Sequence, residues 1–137
     1  MLELAKKICQ EAHKGQVDKG GAPYYLHPFH VADNCKTEKQ KIVALLHDVI
    51  EDNGHYSLDY FMSQGFSSDV VEALDAITHR KNEDYETYIK RVKSNALARA
   101  VKIQDLRHNS DLTRLRTVTD ADLARVKKYE YYLKALD

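Results

Sequence analysis

Long apolar runs, net charge, cysteine, proline and glycine are all scarce in this chain, and each shortage removes a class of protein. The greasiest stretch, Ile42 to Ile50, is too short and too interrupted by charge to span a bilayer. The N-terminal MLELAKKICQEAHK carries an acid at Glu3 and no extended apolar region, so it does not read as a secretory signal. These absences point to the cytoplasm and away from a membrane. The 21 basic side chains are matched by 21 acidic ones. Dedicated nucleic-acid binders usually carry a basic excess, so a nucleic-acid partner is not expected. A small anionic substrate needs only a local group of Lys or Arg and stays open. The two cysteines, Cys9 and Cys35, form neither a disulfide framework nor a metal-binding spacing. Both fall where helix interiors are expected and read as buried thiols.

With five Gly and two Pro, the chain shows no repeat, no low-complexity linker and no internal boundary. Its length favours one domain over residues 1–137. Strand-like alternation is nearly absent and helical periodicity dominates. Leu2, Ala5, Ile8, Cys9 and Ala12 line one face of a first helix that ends near Gly15. Pro28 suits the first turn of a short helix to about Asn34. Thr37 can cap a third helix, with Gln40 completing a capping box, running to about Glu51. Ser57 caps a short helix to about Gln64, with Gly65 behind it, and Ser68 caps another through Ile77. NEDYETYIKRVKS and ALARAVKIQDLRHNSDLTRL are two further helices. Thr119 starts the last, from about Asp120 to Leu136, with Leu123, Val126, Tyr129 and Leu133 as its packing side. The expectation is an all-α bundle of about eight helices joined by short loops.

Within the third helix, ALLHDVIED sets one histidine and three acids among apolar residues. Helical spacing puts His47 beside Glu51, and Asp48 beside Glu51 and Asp52. Such a stripe can simply be a solvated face. Yet three acids this close, with no Lys or Arg between them, repel one another, and a bound cation would offset that. Imidazole and carboxylate together suit a divalent metal. His47 and Asp48 supply two ligands and a closed site needs more. His27 precedes Pro28 in PYYLHPFH. Asp105 interrupts an apolar helix face in VKIQDLRHN, where an unpaired carboxylate is costly to bury.

These residues carry a resemblance. The ordered stretches AHKGQVDKGGAPYYLHP, ALLHDVIEDN and VKIQDLRHN resemble the HD-domain metal-dependent phosphohydrolases. They are most similar to the hydrolase domain of the RelA/SpoT type and to small alarmone hydrolases. The His-Asp pair alone is common, whereas PYxxHP, HDxxED and KxxDxxxN in this order are specific. The resemblance implies an HD-type helical fold and one divalent ion, usually manganese, held by His27, His47, Asp48 and Asp105. It implies catalytic roles for Glu51 and Asp52 in orienting or deprotonating the attacking water. It places Asn109 and Lys19 near the nucleotide. The implied reaction is hydrolysis of a nucleotide such as guanosine-3′,5′-bis(diphosphate) at its 3′-pyrophosphate.

The departures fall around the substrate. Alarmone hydrolases typically read RKSGEPY where this chain has DKGGAPY, so Asp18 stands for an arginine and Ala22 for a glutamate. Asp111 and Leu112 stand where an arginine and a threonine commonly follow Asn109. A nucleotidase with another nucleotide substrate is the alternative enzyme reading. A nucleotide-binding regulatory module without turnover is the other rival. No synthetase portion is expected, since the chain ends at Asp137. His30 and His108 are expected to support or pack beside the motif residues. His13, His55 and His79 are expected on the surface or in loops. Arg80 and Lys81 could offer cations to phosphate or be solvated. Tyr129, Tyr131 and Tyr132 pack or make a contact in a homo-oligomer.

Overall fold

The computed structural model describes the backbone of residues 1–137 and every side chain except that of Asp52. The fold is all-α. The helices are α1 (Leu2–Ala12), α2 (Leu26–Asp33), α3 (Glu38–Leu46), α4 (Val49–Asp52), α5 (Leu58–Ser63), α6 (Ser68–Ile77), α7 (Tyr85–Lys93), α8 (Ala96–Asn109) and α9 (Asp120–Leu136). A 3-10 turn, Leu112–Arg114, links α8 to α9. The only pairing of extended backbone among the described residues is an isolated bridge between Val17 and Pro23. No helix is long and apolar enough to cross a membrane among the described residues.

α3 is the buried axis. Ile42, Val43, Ala44, Leu45 and Leu46 are all buried, so the C-terminal half of this helix is apolar around its circumference. It packs on α1, α2, α6 and α8, and α8 in turn meets α2, α6, α7 and α9. Local chemistry starts the helices. Thr37 accepts from the Gln40 backbone N–H while the Gln40 side chain accepts from the Thr37 N–H, the expected capping box. Thr119 and Asp122 repeat the device on α9. Ser57, Asp84 and Asn95 cap α5, α7 and α8 through their side chains. Gly65 follows α5 at φ 92°, where a side chain would be strained.

Several expected boundaries move. α2 starts at Leu26, so His27 is helical and Pro28 sits inside the first turn. That position tolerates proline, because first-turn N–H groups have no intrahelical partner. Ser67 rather than Ser68 is the N-cap of α6, and its hydroxyl donates to Asp69. The third helix does not reach Glu51. It stops at Leu46, and His47 and Asp48 form a break before the short α4. The His47 ring bonds the Ala44 carbonyl at the end of α3, and Tyr24, from the loop before α2, bonds the Asp48 carboxylate. α8 ends at Asn109 instead of continuing to Leu115, because the Asp111 side chain caps the following 3-10 turn.

Two packing expectations also change. His13 is buried, not superficial, its ring tilted against Tyr24 with centroids 4.8 Å apart. On α9, Tyr129 and Leu133 pack on the core as expected, but Leu123 is 46% exposed, and the buried residues Tyr132 and Leu136 lie outside the expected packing side. Tyr131 is 60% exposed, so the three α9 tyrosines have different environments. Cys9 and Cys35 are free and buried, and burial pushes the Cys9 thiol up to about 12, which keeps it protonated and inert.

Candidate metal centre

Three separate parts of the fold converge on one buried point. α2 brings His27, the break after α3 brings His47 and Asp48, and α8 brings Asp105. One donor atom from each lies within 4.8 Å of the others. Nε2 of His27 is 2.7 Å from Oδ1 of Asp105. Nε2 of His47 is 3.2 Å from that same oxygen and 3.2 Å from Oδ2 of Asp48. Ligand atoms at ~2.0–2.2 Å from an ion stand roughly 3 Å apart at right angles, close to the separations among His27, His47, Asp48 and Asp105 given above. The set of two imidazole nitrogens and two carboxylate oxygens suits a borderline or hard divalent cation.

The surrounding bonds leave the inward atoms as ligands. His47 Nδ1 faces the Ala44 carbonyl and keeps its proton, so Nε2, turned to Asp48 and Asp105, is the atom that would meet an ion once its proton is displaced. His27 Nδ1 is 2.7 Å from Nδ1 of His108. Burial, with Arg114 and the imidazoles of His27 and His30 nearby, lowers the His108 pKa to about 4. His108 is therefore neutral at pH 7 and accepts from His27 Nδ1–H, which again turns Nε2 to the centre. His30 stacks on the outer face of His108 with centroids 3.8 Å apart. His30 and His108 thus support the cluster and neither belongs to the ligand group.

Each carboxylate is also tethered. Tyr24 donates its hydroxyl to Oδ2 of Asp48 at 2.6 Å. Lys102 donates to Oδ2 of Asp105 at 2.9 Å, and Asn109 donates to Oδ1 at 3.2 Å. Burial opposes charge on both members of the Lys102–Asp105 pair. Their mutual attraction outweighs it, holding Lys102 well above and Asp105 well below their ordinary values. The Lys102 ammonium also faces the Tyr88 ring at 5.2 Å. Burial likewise opposes a charge on His47, yet Asp48 and Asp105 prevail and raise its pKa to about 9 in the metal-free protein.

Glu51 is not one of the four clustered residues. Its carboxylate accepts the backbone N–H of His79 at 2.5 Å, so the α6–α7 loop holds it. Local burial raises its pKa, the His79 N–H opposes this, and the charge of Asp48 adds to the rise. The residue as a whole is exposed. The Asp52 side chain lies outside the described residues.

A cleft of about 340 Å³ opens from His27 and is lined by Lys19, Tyr24, Asn109, Arg114 and Tyr129, among others. The two expected nucleotide contacts, Lys19 and Asn109, both reach it. Lys19 is exposed, whereas the Asn109 amide is held between Asp105 and Arg114. Arg80 and Lys81 do not line the cleft; Arg80 bonds Asp75 and the Thr78 carbonyl. His79 is half-buried, tied by its ring to the Glu83 carbonyl, while His55 is exposed as expected. Sequence reasoning did not single out Tyr24 and Lys102, which bond the cluster carboxylates, or Arg114 and Arg125, which line the cleft. Lys102 alone left a local signal, three residues before Asp105 on one helix.

The chain matches no protein-family model. It is 34% identical over 84 residues to a GTP pyrophosphokinase of Myxococcus xanthus, covering 56% of this chain and 11% of that protein. It is 32% identical over 83 residues to a probable GTP pyrophosphokinase of Mycobacterium leprae, covering 57% and 10%. It is 33% identical over 81 residues to a guanosine-3′,5′-bis(diphosphate) 3′-pyrophosphohydrolase of Vibrio cholerae, covering 56% and 11%. The chain therefore spans about a tenth of the length of the curated relatives it matches.

Proposed function

We propose that this chain is a single HD-type domain that hydrolyses a phosphoanhydride or phosphoester of a nucleotide, using one divalent ion, with manganese the favoured identity. The observation that carries this reading is the convergence of His27, His47, Asp48 and Asp105 within 4.8 Å at the inner end of an open cleft. The relatives named for guanosine nucleotides, on both the kinase and hydrolase sides, support a nucleotide ligand. The metal cluster and the neighbouring Glu51 favour hydrolysis over pyrophosphoryl transfer. The favoured substrate is a guanosine-3′,5′-bis(diphosphate)-like 3′-pyrophosphate.

When bound, the ion supplies Lewis acidity toward a phosphate oxygen and lowers the pKa of water. The chain's own residues do the rest. His108 and the Ala44 carbonyl fix the two imidazole tautomers. Tyr24 and Lys102 each occupy an Oδ2 atom and so orient the carboxylates. Glu51, held by the His79 N–H and raised in basicity by burial, takes the proton from the attacking water. Asp52 is assigned to orienting that water. Lys19 and Asn109 meet the nucleotide in the cleft.

The test is a nucleotide panel with Mn²⁺, run on the wild type and on Asp48→Ala. Pyrophosphate released from guanosine-3′,5′-bis(diphosphate) by the wild type alone is the expected result. Phosphate released only from ordinary nucleotides would move the assignment to a nucleotidase. Asp18 in place of the arginine favours that second reading. No turnover with any nucleotide would refute the enzyme and leave a nucleotide-binding regulatory module.

A further inference from the structure

Glu51 sits on α4, a helix of a single turn, which by itself fixes a side chain poorly. Its Oε1 accepts the His79 N–H at 2.5 Å. That N–H belongs to the peptide unit joining Thr78 to His79, and the Thr78 carbonyl is the opposite edge of the same unit. Two guanidinium groups close on that oxygen. Arg91 donates from Nη2 at 2.9 Å and Arg80 from Nη1 at 2.5 Å. A peptide unit is planar and its N–H and C=O point in opposite directions, so fixing the carbonyl aims the N–H. Cations on the carbonyl also polarise the unit and strengthen the N–H as a donor.

Arg91 is locked in place on α7. Its Nε donates to the Ala76 carbonyl at 3.1 Å, and Nη1 and Nη2 both donate to the Glu83 carboxylate. Oε1 of Glu83 also accepts the Arg80 N–H at 3.1 Å, and the Glu83 carbonyl accepts from the His79 ring at 2.8 Å. The Arg91–Glu83 pair therefore holds the peptide units on both sides of His79. Its side chains are 26% and 12% exposed, so the pair is partly shielded from water. Closing the end of α6 accounts for the bond to Ala76, and the Tyr88 hydroxyl serves the Ile77 carbonyl at 2.6 Å. Two charged donors on the single Thr78 carbonyl exceed what that closure needs.

We propose that Arg91 is a positioning residue for Glu51, acting through the Thr78–His79 peptide unit, with Arg80 as the second grip on the same carbonyl. The inference rests on the reading that Glu51 takes the proton from the attacking water. The bond occupies Oε1 and leaves Oε2 to receive that proton. Arg91 belongs neither to the cleft lining nor to the four clustered residues, so its loss falls on the chemical step and spares binding.

Two variants test this in the full chain. Arg91→Lys keeps a cation opposite Glu83 and gives up the fork that reaches Thr78. Arg80→Met removes the other grip at a residue whose side chain is 41% exposed, where the fold tolerates change. Hydrogen exchange of the His79 amide is followed by NMR in EDTA, with Glu51→Gln as the reference for a weakened acceptor. Exchange accelerates about tenfold in Glu51→Gln and in Arg91→Lys, the effect of losing a hydrogen bond to a charged group. Arg80→Met shows a smaller change in the same direction. With Mn²⁺ and guanosine-3′,5′-bis(diphosphate), kcat falls at least about tenfold in Arg91→Lys, while KM and the Kd for Mn²⁺ stay within about twofold. His79 exchange unmoved by Arg91→Lys overturns the inference and leaves the proposed hydrolase standing. A loss in KM or in Mn²⁺ affinity with kcat unchanged overturns it as well, because Arg91 would then act on the site as a whole. Absence of turnover in the wild type overturns the proposed function, and the exchange rates alone then decide whether this peptide unit holds Glu51.

Discussion

Replacing Lys102 with methionine removes the one permanent cation in contact with the buried Asp105. The side chains are 12% and 5% exposed, so water compensates neither charge well. Breaking a buried pair by deleting one partner costs on the order of 3–5 kcal/mol, because the other charge is left unbalanced. Asp105 keeps its contacts to His27, His47 and Asn109, which puts the expected loss near the lower figure. With 137 residues at about 2.1 cal/mol/K each, the unfolding entropy near the midpoint is ~0.29 kcal/mol/K. A loss of ~3 kcal/mol then lowers Tm by about 10 °C. That figure applies with chelator present. Saturating Mn²⁺ supplies the missing positive charge, so the Tm gap between Lys102→Met and wild type narrows to about a third. Circular dichroism melts in EDTA and in excess Mn²⁺ read both numbers. A gap under about 2 °C in EDTA would show that the pair carries no such stabilisation. A gap that Mn²⁺ leaves unchanged would show that the ion does not bind at Asp105.

The metal-free protein should be most stable near pH 6.5. His47 has a folded pKa of about 9, raised from 6.5, so its stabilisation is complete below pH 6.5 and lost as pH climbs toward 9, by about 3 kcal/mol at most. His108 is depressed to about 4, so its contribution is present above pH 6.5 and lost as pH falls toward 4. Chelator-treated melts from pH 4 to 9.5 test both arms, and a flat profile above pH 7 contradicts the His47 environment. Metal affinity should rise through the same alkaline window as the proton on His47 ceases to compete, which calorimetric titration with Mn²⁺ would detect. Gly20→Ala forces the Arg114 segment outward and should cost on the order of 1–3 kcal/mol, seen as a lower urea midpoint. An unchanged midpoint would mean the two segments are not in contact.

What could be read from the sequence was local. Thr37 with Gln40 declares a capping box and Thr119 marks the start of the last helix; both starts are observed, and on α9 Asp122 completes a second box that the sequence reading did not name. Asp105 is visible because a carboxylate on an apolar helix face demands a partner, and it finds several. The break at His47 and Asp48 is hidden because Leu45, Leu46, Val49 and Ile50 keep helical spacing across it. What opens the helix includes a bond to Tyr24, 24 residues away, which periodicity does not register. His13 looked superficial at the polar end of α1, and only the fold places Tyr24 over its ring. Arg114 was invisible for the same reason: its partner Asp18 lies 96 residues earlier in the chain.

The candidate ligands are also distant from one another along the chain. Asp105 meets His47 across 58 residues and His27 across 78. Contacts of that span must overcome the entropy of closing long loops, and they accumulate late in assembly. α8 has to dock on α2 and α3 before the fourth donor arrives. A chain folded only as far as α7 brings together three of the four candidate donors, and the complete set of four exists only once α8 has docked.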